Sequence, residues 1–420
     1  MTHFRDRNGR AGVVAICAAA CLATALTACS STSSKPTSAT SATAGAAAKG
    51  TPINLMVITT VGNPASSYPE AYSAAEAAAS AVNAAGGVNG HPLDVQLCND
   101  NFDPNDATQC GRSAVAAHVA AVVGDVSTYA DNYMPILKAA GIPDVGNLDA
   151  TSDEATFSNS FPLEVGTAVI LQAQAAELVN HGKKKIAVVY INIPVVAPLL
   201  ASITAKIPSL GSGGGKVVAQ IPVPATATDM SSYSAELKAS GANGALFVLG
   251  TAQLEQLLEA DYQGGVTSQV TGGVQTLPPA ALQQLGPAAD GLQAIDSYLP
   301  ATDTADAGIA QFNKELDSYG MKDPRTDTAV AAWASVHIVA NLMTKAHTTT
   351  ASGLTTALKA AGTINFPGVG AFNWSKPISQ FLPERVFSTQ LSYSVVQNGK
   401  IVVQGNSSTG FSNILNLPSN

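Results

Sequence analysis

The chain has 420 residues, 46% of them hydrophobic, but only 12% are charged and 5% aromatic, alongside 36 Gly and 23 Pro. That length suits two domains, and a core drawn mainly from Ala, Val, Ile and Leu excludes intrinsic disorder. The 29 acidic against 21 basic residues give a formal charge of −8, which excludes an extended nucleic-acid surface; the one basic run, Lys183 to Lys185, only precedes an apolar strand.

Arg5, Arg7 and Arg10 precede an uncharged stretch from Ala11 to Ala28, the layout of an export signal. The end of that stretch, Leu26-Thr27-Ala28-Cys29, resembles the lipobox of bacterial lipoproteins, which implies cleavage after residue 28 and lipid on Cys29. Residues 30–50 carry no large apolar side chain and cannot offset chain entropy by burial, so 29–50 reads as a flexible tether. A coil of that length spans roughly 25 Å, enough for a membrane-anchored globule to sample its surroundings.

From Pro52 onward short β-branched runs alternate with Ala-rich helical ones. Strands are predicted at Ile53 to Thr60, Leu93 to Leu97, Ala121 to Gly124, Ile186 to Ile191, Lys216 to Ile221 and Ala245 to Leu249. They are apolar nearly throughout, as strands covered on both faces are. Helices are predicted at Ala71 to Ala85, Asn105 to Ala120, Met134 to Ala140, Thr167 to His181, Ser231 to Ser240 and Ala252 to Tyr262. This βαβα order gives an α/β fold of doubly wound parallel sheets, probed by ligands at the carboxyl ends of the strands. The loops there are Val61 to Pro69, Asp125 to Tyr129, Asn147 to Thr151, Asn192 to Val196, Gly250 to Gln253 and Gly272 to Thr276.

Motifs for catalysis are missing. Gly211 to Lys216 has the glycines of a phosphate loop but leads into a strand, not a helix, and reads as a surface turn. No GxGxxG follows the first strand and there is no GxSxG elbow. The six His are scattered without metal-ligand spacing, and His337 in an apolar helix reads as a packed residue. Asn99 to Asp106, NDNFDPND, lacks the Gly and closing Glu of a calcium loop and reads as Asx turns with a helix cap. Glu255 and Glu259, at i and i+4, read as a solvated face. No metal and no cofactor is expected. After export processing Cys98 and Cys110 are an even pair across a strand–loop–helix corner; they read as a disulfide, with two free buried thiols as the alternative.

Asn83 to Leu93, NAAGGVNGHPL, closely resembles the stretch after the first long helix in branched-chain amino-acid type periplasmic binding proteins of the type I fold. The similarity continues through Cys98 to Arg112, Val122-Val123-Gly124 with Ser127-Thr128, and Ala140 to Pro143, and more loosely from Lys184 to about Gln404. The resemblance implies two Rossmann-like lobes joined by three crossovers, near Phe161 to Gly166, Leu292 to Pro300 and Thr363 to Phe372. Lobe 1 would hold 51–162 and 298–365, and lobe 2 would hold 163–297 and 366–420. It implies a solute-binding lipoprotein of an ABC importer, not an enzyme, working as a monomer with permease subunits as partners; a sensor subunit or, more remotely, an exported hydrolase are the alternatives.

Family receptors for amino acids hold the ligand carboxylate with a hydroxyl and backbone N–H groups, and Ser127 and Thr128 match that loop. Their acid for the ligand ammonium aligns here with Ala227, two residues before Asp229, and their aromatic after the first strand of lobe 2 is replaced by Ile193 to Val196. An unpaired buried ammonium is costly, so the ligand is expected to be small and largely apolar, with a carboxylate or carbonyl at Ser127 and Thr128. Ser67, Tyr68, Tyr129 and Asn147 would line lobe 1, and Val195, Val196, Thr251 and Gln275 lobe 2.

Overall fold

The computed structural model describes residues 48–415 except 65, 149–150, 273–276, 382–383 and 405–408. The expected signal, Cys29, the tether as far as residue 47, and Gln275 lie outside the described residues. Lys49 and Gly50 already belong to the folded body, both donating backbone N–H groups to Gly90 O.

The first sheet is wholly parallel, built from β1 (Ile53–Thr59), β2 (Leu93–Asn99), β3 (Ala121–Val123), β4 (Asp144–Val145) and β5 (Ser160–Phe161) in the order β2-β1-β3-β4-β5. Helices α1 (Pro69–Ala84), α2 (Pro104–Ala116), α3 (Met134–Ala140) and α4 (Ser152–Thr156) make its crossovers. Proline opens α1 and α2, where its missing N–H costs nothing, and Asp103 caps α2 by accepting from the Asn105 and Asp106 N–H groups. The NDNFDPND segment is therefore a turn and a cap. Helix α2 stops at Ala116, short of the expected Ala120, because Ala120 N already donates to Asn54 O on entry to β3.

After α5 (Thr167–Asn180) the second sheet starts with β6 (Lys185–Ile191), α6 (Ala197–Lys206), β7 (Lys216–Val223), α7 (Ser231–Ala239) and β8 (Gly244–Val248). It continues through α8 (Thr251–Gly264), β9 (Gln269–Thr271), α9 (Pro279–Leu285) and β10 (Gln293–Asp296). The chain then turns helical, with α10 (Ala307–Tyr319), α11 (Asp327–Lys345) and α12 (Ala351–Ala360), before the hairpin β11 (Ile364–Phe366) and β12 (Gly370–Phe372). The last strands, β13 (Leu391–Gln397), β14 (Lys400–Val403) and β15 (Phe411–Ser412), extend the second sheet to β14-β13-β10-β9-β8-β6-β7, with β13 antiparallel to β10 and to β14. The stretch 292–300, expected only as a crossover, thus contains an inner strand.

Helix α11 returns to the first lobe and is buried on nearly every face, with Trp333 packed edge-on against Phe312 and Phe366. Two glycines let it come close. A Cβ on Gly124 would lie 2.3 Å from Ala332 Cα, and one on Gly146 would lie 1.8 Å from Ser335 Oγ; both backbones also have positive φ. Phe372, Trp374, Phe387 and Phe411, from the segment the sequence allots to lobe 2, join this same core, and Trp374 Nε1 donates to Pro162 O at 2.7 Å. Cys98 and Cys110 form a disulfide that ties β2 to α2. Among the described residues no helix is long and apolar enough to cross a membrane.

Candidate functional site: a cleft between the two sheets

The carboxyl ends of β1, β3 and β4 face those of β6, β8 and β10 across a cavity of about 280 Å³. Its two walls differ in kind. Lobe 2 presents aliphatic and aromatic surface, chiefly Ile191, Ile193, Val196, Leu199, Phe247 and Leu249. Lobe 1 presents Ser66, Tyr68, Thr128 and Thr151, with Asp327 and Thr328 from the first turn of α11, beside the apolar Phe102, Val126 and Leu148. The first crossover and α5 form the floor with Glu164, Thr167 and Gln174, and Asp296 ends β10 there.

Of the residues expected from sequence, Tyr68, Thr128 and Val196 line this cavity, and Thr251 starts α8 next to lining Gly250. Ser127 does not. Its hydroxyl is buried and donates to Asp100, which also accepts from Thr60 Oγ1 at 2.6 Å. Ser67 is exposed and accepts from Gly62 N, while its neighbour Ser66 takes the place in the wall. Tyr129 sits behind Phe102, ring centroids 5.4 Å apart, and Phe102 makes the surface. Asn147 is sealed inside, donating to Asp144 at 3.1 Å and to Ser160 at 2.9 Å, with Leu148 lining instead. Val195 lies in the turn before α6. Asp229, considered as a substitute acid, is exposed and accepts from Ser231 N at the start of α7, which lowers its pKa. No Lys, Arg or His lines the cavity among the described residues, so a ligand carboxylate finds hydroxyls and no basic side chain.

Acids that the sequence reading passed over dominate the electrostatics. Asp296 and Asp327 both line the cavity, one carboxyl from each lobe, and act on one another electrostatically. Burial pushes Asp296 well above the ordinary carboxyl range, helped by the Asp327 charge; burial pushes Asp327 up to about 6, although the Thr328 N–H donates to it at 2.9 Å. Next to them Glu70, in the first turn of α1, accepts from Thr326 and Thr328 hydroxyls at 3.0 and 3.1 Å, and burial still pushes it up to about 7. Gln174 is 3% exposed, and its Oε1 has no hydrogen-bond partner.

A second carboxylate set lies behind β3 and β4. Asp125, Asp144 and Glu154 are fully buried with carboxylate oxygens within 4.8 Å of one another, a spacing a cation could use. Each already has a partner: the Tyr133 hydroxyl donates to Asp125, Asn147 to Asp144, and the Thr151 N–H to Glu154 at 2.9 Å in a capping box. Burial pushes Asp125 and Asp144 up, and the Glu154 capping box fixes Thr151 at the cleft rim.

Two sheets that close on one cleft, with crossovers between them, define a bilobed solute-binding protein. The periplasmic binding protein profile matches residues 53–381, and the chain belongs to that family. Its fold is shared with a substrate-binding periplasmic protein from Ralstonia solanacearum (TM-score 0.73, 17% identity, 84% of this chain and 100% of the other). An ABC transporter solute-binding protein from R. palustris in complex with benzoate gives TM-score 0.70 at 18% identity over 85% and 96% of the two chains. A leucine-binding protein from Thermotoga maritima gives 0.69 at 14% identity over 84% and 98%. No curated protein matches the chain.

Proposed function

We propose that the chain is the receptor of an ABC importer outside the cytoplasmic membrane. It holds a small, largely apolar solute between its lobes and presents the closed form to permease subunits. The observation that carries this reading is the cavity of about 280 Å³, walled on one side by apolar side chains and placed where the carboxyl ends of parallel strands in two sheets face each other. A hydrophobic wall on one lobe and a mixed polar and apolar wall on the other gain contact area only when the lobes meet, so binding energy is coupled to hinge closure. Lipid on Cys29 and the tether to residue 50 would keep the receptor near its permease; a Cys29→Ala chain should then leave the membrane fraction.

Thermal unfolding of the intact protein against amines, amides, amino acids, aliphatic and aromatic acids and sugars tests the reading. A ligand at 100 times its Kd adds about 2.7 kcal/mol, a clear rise in Tm. Small-angle scattering should show the same ligand compacting the protein. A protein that neither gains stability nor compacts with any of these classes is not this receptor.

A further inference from the structure

We propose that the solute held in this cleft carries a protonated amine at one end of an apolar body, received between the facing carboxyls of Asp296 and Asp327. This rests on the receptor reading above and names its ligand class.

Three observations carry it. First, Asp296 and Asp327 come from opposite lobes, are 7% and 9% exposed, and both line the cavity, where burial and then the Asp327 charge favour a proton on Asp296. An ammonium seated between them replaces that proton and lets both ionise, so a cation bridges the lobes where two carboxylates would repel. Second, the wall carries further acceptors: Glu164, 5% exposed, adds a third carboxyl, and the buried Gln174 also lines the cavity. A ligand with several N–H donors satisfies such a wall, while a carboxylate would be buried against like charge with no basic residue to offset it. Third, the opposing wall is aliphatic, which fixes the remainder of the ligand as apolar. A zwitterion would bring a second negative charge into this wall, so a simple amine fits it better than an amino acid does.

The titratable groups facing the pair are Glu164 from the first crossover, Tyr298 beyond β10, Glu70 at the start of α1 and Tyr68 before it. All are acids or phenols, and none supplies a competing cation. Amine binding at pH 6 should therefore release about one proton, and affinity should rise between pH 5 and 7 as the displaced proton is lost more readily.

Titration calorimetry on the intact protein tests this with isobutylamine, isopentylamine, benzylamine and phenethylamine, each beside the alcohol and the carboxylate of the same body, with leucine and phenylalanine added. The expected result is that amines bind most tightly for at least one body. Their heats in two buffers of different ionisation enthalpy should reveal the released proton. Asp327→Asn and Asp296→Asn should each weaken the best amine at least tenfold and the matching alcohol far less, and Asp296→Asn should remove most of the proton release. A carboxylate, alcohol or amino acid that binds more tightly than every amine overturns the inference and leaves the receptor reading standing. Binding by none of the series, with a sugar or another class raising the Tm, also overturns the inference alone. Absence of any ligand removes both.

Discussion

Two groups of buried carboxyls lie on neighbouring parts of the fold and behave differently. Asp125, Asp144 and Glu154 are closed off behind β3 and β4, each held by a donor from its own lobe. Glu164, Asp296 and Asp327 are almost as buried, yet they open onto a cavity, and two of them meet across the lobes. Burial and raised pKa alone therefore do not mark a binding site. Whether the group borders space that a guest can fill separates a scaffold acid from a recognition acid.

Asp125→Ala should have the largest effect on stability, about 4 kcal/mol, because it leaves the buried Tyr133 hydroxyl without its acceptor and opens a small void. Asp125→Asn keeps an acceptor and should cost far less, on the order of 1 kcal/mol; denaturant midpoints measure both. If the amide costs as much as the alanine, or if chelators lower the Tm, the sealed set holds a cation and the contrast fails.

The pH dependence should be nearly as large. Glu70 is pushed up to about 7 and Asp327 to about 6, so the folded state binds more protons than the unfolded one between roughly pH 4 and 7. The stabilisation is complete below the unfolded pKa and is lost as pH rises through the folded values. Glu70 alone accounts for about 3 kcal/mol, since one pKa unit is about 1.4 kcal/mol. The Tm should fall from pH 5 to pH 8, and Glu70→Gln should flatten that fall.

Asp327→Asn should change the stability of the empty protein least, within about 1 kcal/mol at pH 7, because a neutral amide replaces a carboxyl that burial already disfavours in ionised form. A loss of several kcal/mol on this change would move Asp327 into the scaffold class.

The α/β alternation was legible because period and composition report burial on both faces. Strands β1, β2, β3, β6, β7 and β8 lie within a residue or two of their predicted ends. Strands β4 and β5, two residues each, are too short to show a period, and α6 was hidden because its APLLASITAK run follows directly on an apolar loop. The disulfide followed from pairing the two cysteines left after export. At the site, loops could be named in advance, but which side chain turns inward could not: Ser127 is claimed by Asp100 and Asn147 by Asp144, partners 27 and 3 residues away. Asp296 and Asp327 are 31 positions apart on elements of different lobes, so their meeting is a property of the closed topology. The one signal was an Asp at the end of an apolar strand, QAID, in a stretch read only as a connector.

The bridge from Cys98 to Cys110 closes the corner whose next residues, Asn99 and Asp100, anchor Val61 and Ser127 around the first-lobe wall. Reducing surroundings leave that corner unfastened. A chain made and kept in the cytosol should thus fold with a looser rim than one oxidised after export, and the pocket acquires its final shape only in the compartment where its cargo is met.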